Sequence, residues 1–123
     1  MPNEGQRTLS FEVPVGAGDF APEILFLTSR EQLTVPTTFR EAHDGGVSEY
    51  QVVIEALTAD AQLEVDLLNA GADPAVEANW NNVSVFAAVG PHLVESLTRQ
   101  AVRIRAKSGG TAGTTTASVT WAA

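Results

Sequence analysis

Glu64 with Asp66 and Glu12 with Asp19 are close carboxylate pairs of the kind a reaction would need in this chain of 123 residues. A sugar hydrolase uses two facing carboxylates across a cleft, one of them held protonated by its surroundings. Glu64 and Asp66 alternate with Leu63, Val65 and Leu67, so both fall on one side of a strand and read as a solvated strand face. His43 and His92 each sit beside turn residues and make no His-x-x-x-His pair, so no metal ligand set is expected. None of Ser10, Ser29, Ser48, Ser84, Ser96, Ser108 and Ser118 lies in a Gly-x-Ser-x-Gly elbow. The Gly109-Gly110 stretch lacks the spacing of a phosphate loop. Asp44-Gly45-Gly46 and Asp73 read as turn chemistry, because no Asp-x-Asp-x-Asp-Gly loop gathers the six to eight oxygens calcium takes. The expectation is a protein with no catalytic residues, no cofactor and no metal.

Residues suited to binding stand out more. Arg99, Arg103, Arg105 and Lys107 are four of the seven cations, and no acid follows Glu95. On the wet side of a strand such a row either protects an edge or docks on an acidic surface, where charge complementarity sets register and on-rate. These four are the candidate interface. Trp80, flanked by Asn79, Asn81 and Asn82, is the candidate stacking platform for a sugar ring, whereas Trp121 reads as core.

The elements that would position these groups are strands. Leu9, Phe11 and Val13 alternate in a first strand that Pro14 and Gly16-Ala17-Gly18 end. Ile24 to Leu27 is an apolar run suited to burial on both faces. Gln32 to Phe39 reads extended, with Leu33 and Val35 inward and Pro36 at an edge or bulge. Tyr50, Val52, Ile54 and Ala56 give a further strand. Thr58 to Asn69 admits a capped helix with Leu63 and Leu67 on one face, but the clean alternation and the β-branched Val65 favour a strand. Trp80 to Ala87 is extended, and His92 to Leu97 is a short strand or a helical turn. Gln100 to Lys107 and Thr114 to Trp121 flank a small-residue link and read as a closing β-hairpin.

Eight or nine short strands about ten residues apart point to an all-β, single-domain antiparallel β-sandwich, jelly-roll or Ig-like. Residues 8–123 would form the sandwich and residues 1–7 a flexible N-terminal arm. Its core would include Val52, Ile54, Val65, Val85, Val102, Ile104, Val119 and Trp121. The composition, 44% apolar and 18% charged, suits a folded chain. A net charge of −8 opposes phosphate backbones, so no nucleic-acid partner is expected. No stretch has the length and apolarity of a membrane span or an export leader, so neither membrane nor classical export is expected. The absence of cysteine leaves packing or assembly to supply stability.

The closing half is Trp80-Asn81-Asn82-Val83-Ser84-Val85, the Arg-x-Arg strand Val102-Arg103-Ile104-Arg105-Ala106, Ser108-Gly109-Gly110-Thr111-Ala112-Gly113 and Thr116-Ala117-Ser118-Val119. It resembles small β-sandwich structural proteins of tailed bacteriophages over roughly the last 45 residues. That resemblance implies a structural role without catalysis: a capsid decoration or cement protein bound outside a phage head. Its partners would be the major capsid protein and other copies of itself, a homotrimer being one such state. It would belong to the virion and be assembled in host cytoplasm. The alternative is a tail, fibre or host-attachment module that binds carbohydrate, with Trp80 as anchor.

Overall fold

The computed structural model describes residues 5–29, 39–43, 49–69, 72–73, 75–95 and 102–122. Nine strands are present among them: β1 (Gly5–Val13), β2 (Phe20–Ser29), β3 (Phe39–His43), β4 (Glu49–Ala56), β5 (Gln62–Leu68), β6 (Trp80–Phe86), β7 (Gly90–Glu95), β8 (Val102–Lys107) and β9 (Gly113–Ala122). They form a four-stranded sheet, β1-β9-β4-β7, and a five-stranded sheet, β3-β2-β8-β5-β6. Every pairing is antiparallel except that of β3 with β2, which is parallel. With β3 set aside, the orders 1-9-4-7 and 2-8-5-6 send β1 and β2, β4 and β5, β6 and β7, and β8 and β9 into opposite sheets. This is the strand order of a jelly roll, two interlocked Greek keys, and it decides between the two sandwich topologies.

The core lies between the sheets. Leu9, Phe11 and Val13 from β1, Val52 and Ile54 from β4, and Ala117 and Val119 from β9 meet Leu25 from β2, Leu63 and Val65 from β5, and Val102, Ile104 and Ala106 from β8. Period-two alternation places each set on the inner face. His92 stacks on Phe86 with ring centroids 4.3 Å apart and planes 14° apart, joining the rims of the two sheets at β7 and β6.

The sequence at 62–68 is a strand, as its alternation predicts. Four expectations need correction. The two C-terminal strands are not a hairpin: β8 pairs with β2 and β5, and β9 with β1 and β4, so residues 108–112 arch from one sheet to the other. That arch is fixed at its base, where Gly18 N donates to the Ser108 carbonyl (2.8 Å) and Ser108 N to the Asp19 carbonyl (2.7 Å). A Cβ on Gly109 would collide with the Asp60 carbonyl, which ties the arch to the β4–β5 connection. Beside it the buried Thr115 hydroxyl accepts from Thr58 N and donates to Thr58 Oγ1, both at 3.0 Å.

The second correction concerns the N-terminus: β1 begins at Gly5, so Gly5, Gln6 and Arg7 pair with Trp121, Thr120 and Val119 and do not belong to an arm. Third, Val85 is exposed, not core. A register shift between Val65 and Asp66 in the β5–β6 ladder turns β6 so that Val85 lies across from the outward Glu64, while Phe86 packs on the core. Fourth, the face bearing Glu64 and Asp66 is not solvated. The expectations for residues 1–4, Gln32 to Thr38 and Asp44-Gly45-Gly46 lie outside the described residues, as do the side chains of His43, Arg99 and Trp121.

Candidate functional site

The outer face of the five-stranded sheet gathers the chain's chemistry-bearing side chains. Because Val102, Ile104 and Ala106 of the central strand β8 point into the core, Arg103, Arg105 and Lys107 must point away from it. The ladder then decides their neighbours. Arg103 lies opposite Asp66 and Phe26, Arg105 opposite Glu64 and Ile24, and Lys107 opposite Gln62 and Phe20. Opposite charges directly across an antiparallel pair stabilise it.

Arg103 is gripped from two sides. Its Nε and Nη2 donate to Asp66 Oδ2 at 2.9 and 2.7 Å. Its Nη1 and Nη2 donate to Glu77 Oε1 and Oε2, each at 2.9 Å. The second grip is the parallel two-bond fork that guanidinium and carboxylate favour. Arg105 Nη2 lies 3.3 Å from Asp66 Oδ2 and 3.5 Å from Glu77 Oε2, and Lys107 Nζ lies 3.6 Å from Glu64 Oε2. Three cations thus face three carboxylates. The Asp66 side chain is only 3% exposed, whereas that of Glu77 is 69% exposed.

Aromatic rings enclose the guanidiniums. Arg103 lies over the Trp80 ring at 4.6 Å, and Arg105 over the Phe20 ring at 3.6 Å. Trp80 packs in turn on Phe26, 5.5 Å between centroids and tilted by 58°. With Leu68 these two rings make a second apolar cluster outside the main core. Weakly hydrated guanidinium tolerates this setting better than ammonium would. The hydrogen bonds from Arg103 hold the Glu77 carboxyl below its ordinary value of 4.5; burial opposes this, and the charges of Arg103 and Arg105 add to it. Burial lowers the Arg105 pKa, as does the neighbouring Arg103 cation, against Glu77, Asp66 and Glu64. Its Nε is buried and donates to no group among the described residues.

The connection that presents Glu77 is held by its own bonds. Asn69 N donates to the Asn79 carbonyl (2.8 Å), and Asp73 Oδ1 accepts from Ala75 N (2.9 Å), the turn chemistry expected of Asp73. Asn79 Nδ2 donates to the Asp73 carbonyl (3.0 Å). Glu77 then sits in a 3-10 turn, Glu77–Asn79, directly before β6.

Several candidate residues read differently in place. Arg103 is buried, so the row is not a free stripe, and Arg105 is half-buried. Trp80 is 8% exposed and lies beneath a guanidinium, so it offers no open stacking platform. The asparagines around it bond within the chain: Asn81 Nδ2 to Asn69 Oδ1 at 2.6 Å and Asn82 Nδ2 to Asp66 Oδ1 at 3.1 Å. Glu64 and Asp66 engage cations instead of facing each other across a cleft. Arg99 lies outside the described residues. Glu77 was missed by sequence reasoning, since nothing in Ala75-Val76-Glu77-Ala78 marks it as an arginine ligand; the signal for Asp66 was its alternation in register with an Arg-x-Arg strand. Among the described residues no group of three or more His, Cys, Asp or Glu could hold a metal ion. No helix there is long and apolar enough to cross a membrane.

No family model matches the chain, and no curated protein matches it. Two solved structures do. One is a mitogen derived from Yersinia pseudotuberculosis, YPM, at 15% identity over 99% of this chain and 86% of that one, with a TM-score of 0.45. The other is Aeromonas hydrophila PliG, a periplasmic lysozyme inhibitor of g-type lysozyme, at 12% identity over 98% of this chain and 86% of that one, with a TM-score of 0.47.

Proposed function

We propose that this protein works by binding, as a structural virion component: a decoration or cement protein that docks on the outside of a phage head and stiffens the shell. Many equivalent lattice sites would let modest contacts per copy add up. One observation carries the reading. Around β8 and β5 the outer face of the five-stranded sheet sets Arg103, Arg105 and Lys107 against Asp66, Glu77 and Glu64 and is bordered by exposed Val76, Val83 and Val85 (45 to 47% exposed), while Glu12, Asp19, Glu55 and Asp60 are exposed elsewhere. A neutral face with apolar edges suits burial against protein, and acidic remaining surface suits solvent. The capsid assignment itself draws on the resemblance of the closing half to phage structural proteins.

The test is electron cryomicroscopy of virions from the phage whose genome encodes the chain, together with co-sedimentation on heads that lack it. Density outside the head is expected, with binding weakened by Val85→Glu. Density in the tail, or none on the virion, refutes the assignment.

A further inference from the structure

We propose that Arg103 and Arg105 form a carboxylate-binding site, filled from within the chain by Glu77, which an acidic segment of a partner protein takes over on docking. The inference rests on reading this face as the docking surface.

The first argument is charge balance. Asp66 is buried and permanently placed by β5, but it is one carboxylate against two guanidiniums. In a poorly solvated setting the surplus cation demands a second anion. Glu77 supplies it from a connection outside both sheets.

The second argument is access. Asp66, Arg103 and Arg105 are covered by Trp80, Phe20 and each other, whereas Glu77 is mostly in solvent. Its carboxylate is therefore the member of this group that an incoming chain can replace without opening the sheet.

The third is unsatisfied capacity. Glu77 makes its two short bonds to Arg103 and stands 3.5 Å from Arg105, whose buried Nε has no acceptor among the described residues. A carboxylate seated closer to Arg105 would bond its Nη2, which Glu77 only approaches.

The occupant follows from the surroundings. The acidic body repels a continuous polyanion such as a nucleic-acid backbone far more than a segment bearing an isolated carboxylate, and exposed Val76, Val83 and Val85 beside the site call for apolar neighbours flanking the anion. An Asp- or Glu-bearing peptide segment meets both conditions.

The experiment uses Glu77→Ala and Glu77→Gln in the full chain, followed by the Arg Nε–H resonances and by thermal unfolding. Acetate is titrated against chloride at constant ionic strength, then hexaglutamate against hexaglutamine. In Glu77→Ala, acetate and hexaglutamate should shift the Arg103 and Arg105 resonances saturably and raise Tm, and chloride and hexaglutamine should not. The unaltered protein should respond at least about tenfold more weakly, because a tethered carboxylate at roughly millimolar effective concentration competes. Adding Arg105→Ala should abolish the response. Equal effects of acetate and chloride on both Glu77 variants would overturn the proposal. So would equal hexaglutamate binding with and without Glu77. Either result leaves head binding to stand on its own measurement, and a chain that answers acetate but ignores heads would sink the capsid reading alone.

Discussion

Replacing Asp66 with alanine should be among the most damaging single changes outside the main core. Asp66 Oδ2 takes contacts at 2.9 and 2.7 Å from Arg103 and at 3.3 Å from Arg105. Without it, two largely buried guanidiniums face each other with Glu77, and more weakly Glu64, to compensate. Unit charges about 4 Å apart interact by about 4 kcal/mol at an effective dielectric near 20, and removal of one member of a buried ion pair costs about 3–5 kcal/mol. Because Glu77 still grips Arg103 from outside, the expected loss is near the bottom of that range, about 3 kcal/mol. For a domain of this size that corresponds to a fall in Tm of roughly 12 °C. Urea unfolding followed by circular dichroism measures it, with the m-value unchanged if only the folded state is affected. Asp66→Asn, which keeps the shape and one acceptor, should lose slightly less. Glu77→Ala should cost about 1 kcal/mol or less, since its side chain is mostly solvated. A loss below about 1 kcal/mol for Asp66→Ala would mean that water solvates the guanidiniums, and the account of this face as a desolvated network would be wrong.

Ile104→Ala should cost about 2–5 kcal/mol by core truncation, whereas Val85→Ala should stay within about 0.5 kcal/mol; equal effects in urea unfolding would contradict the assigned sides of β8 and β6. Thr115→Val leaves Thr58 N–H buried without its acceptor and should cost about 1–3 kcal/mol, read by the same assay. The stability difference between the unaltered protein and Glu77→Gln should depend on acidity with a definite sign. A carboxyl whose folded pKa lies below 4.5 contributes fully above that value and loses its contribution as pH falls through the folded pKa. Thermal melts between pH 7 and pH 2 should therefore converge in acid, and a gap that widened there would refute the Arg103–Glu77 pairing.

Strand positions were readable because alternation is a property of single segments: Leu9, Phe11 and Val13 point inward on their own evidence, as do Val52 and Ile54. What lies over the opposite side of a strand is not such a property. Asp66 looked solvated because its partners come from residues 77, 103 and 105, brought together only by the order of strands. The closing pair of strands misled for a related reason. A Gly-rich link between two alternating runs is compatible with pairing in one sheet or with arching between two, and the choice rests with β1, β2, β4 and β5, which claim the edges of β8 and β9. Val85 failed where the β5–β6 register shifts, since one extra residue inverts which side of the strand faces in. Trp80 illustrates the remaining gap: its neighbours in sequence are polar, its neighbours in space are Phe26 and Arg103.

The central places of β8 and β9 bear on how the molecule is made. Each is flanked on both sides by strands synthesised earlier, so a nascent chain still missing residues 102–122 has two half-sheets with nothing between them. Closure spans more than a hundred residues, from Gly5 to Trp121, and such long-range pairing is slow, in the millisecond-to-second range. Until residues 102–122 have emerged the sandwich cannot close, and the apolar strands already made stay exposed for that interval, when aggregation competes with folding.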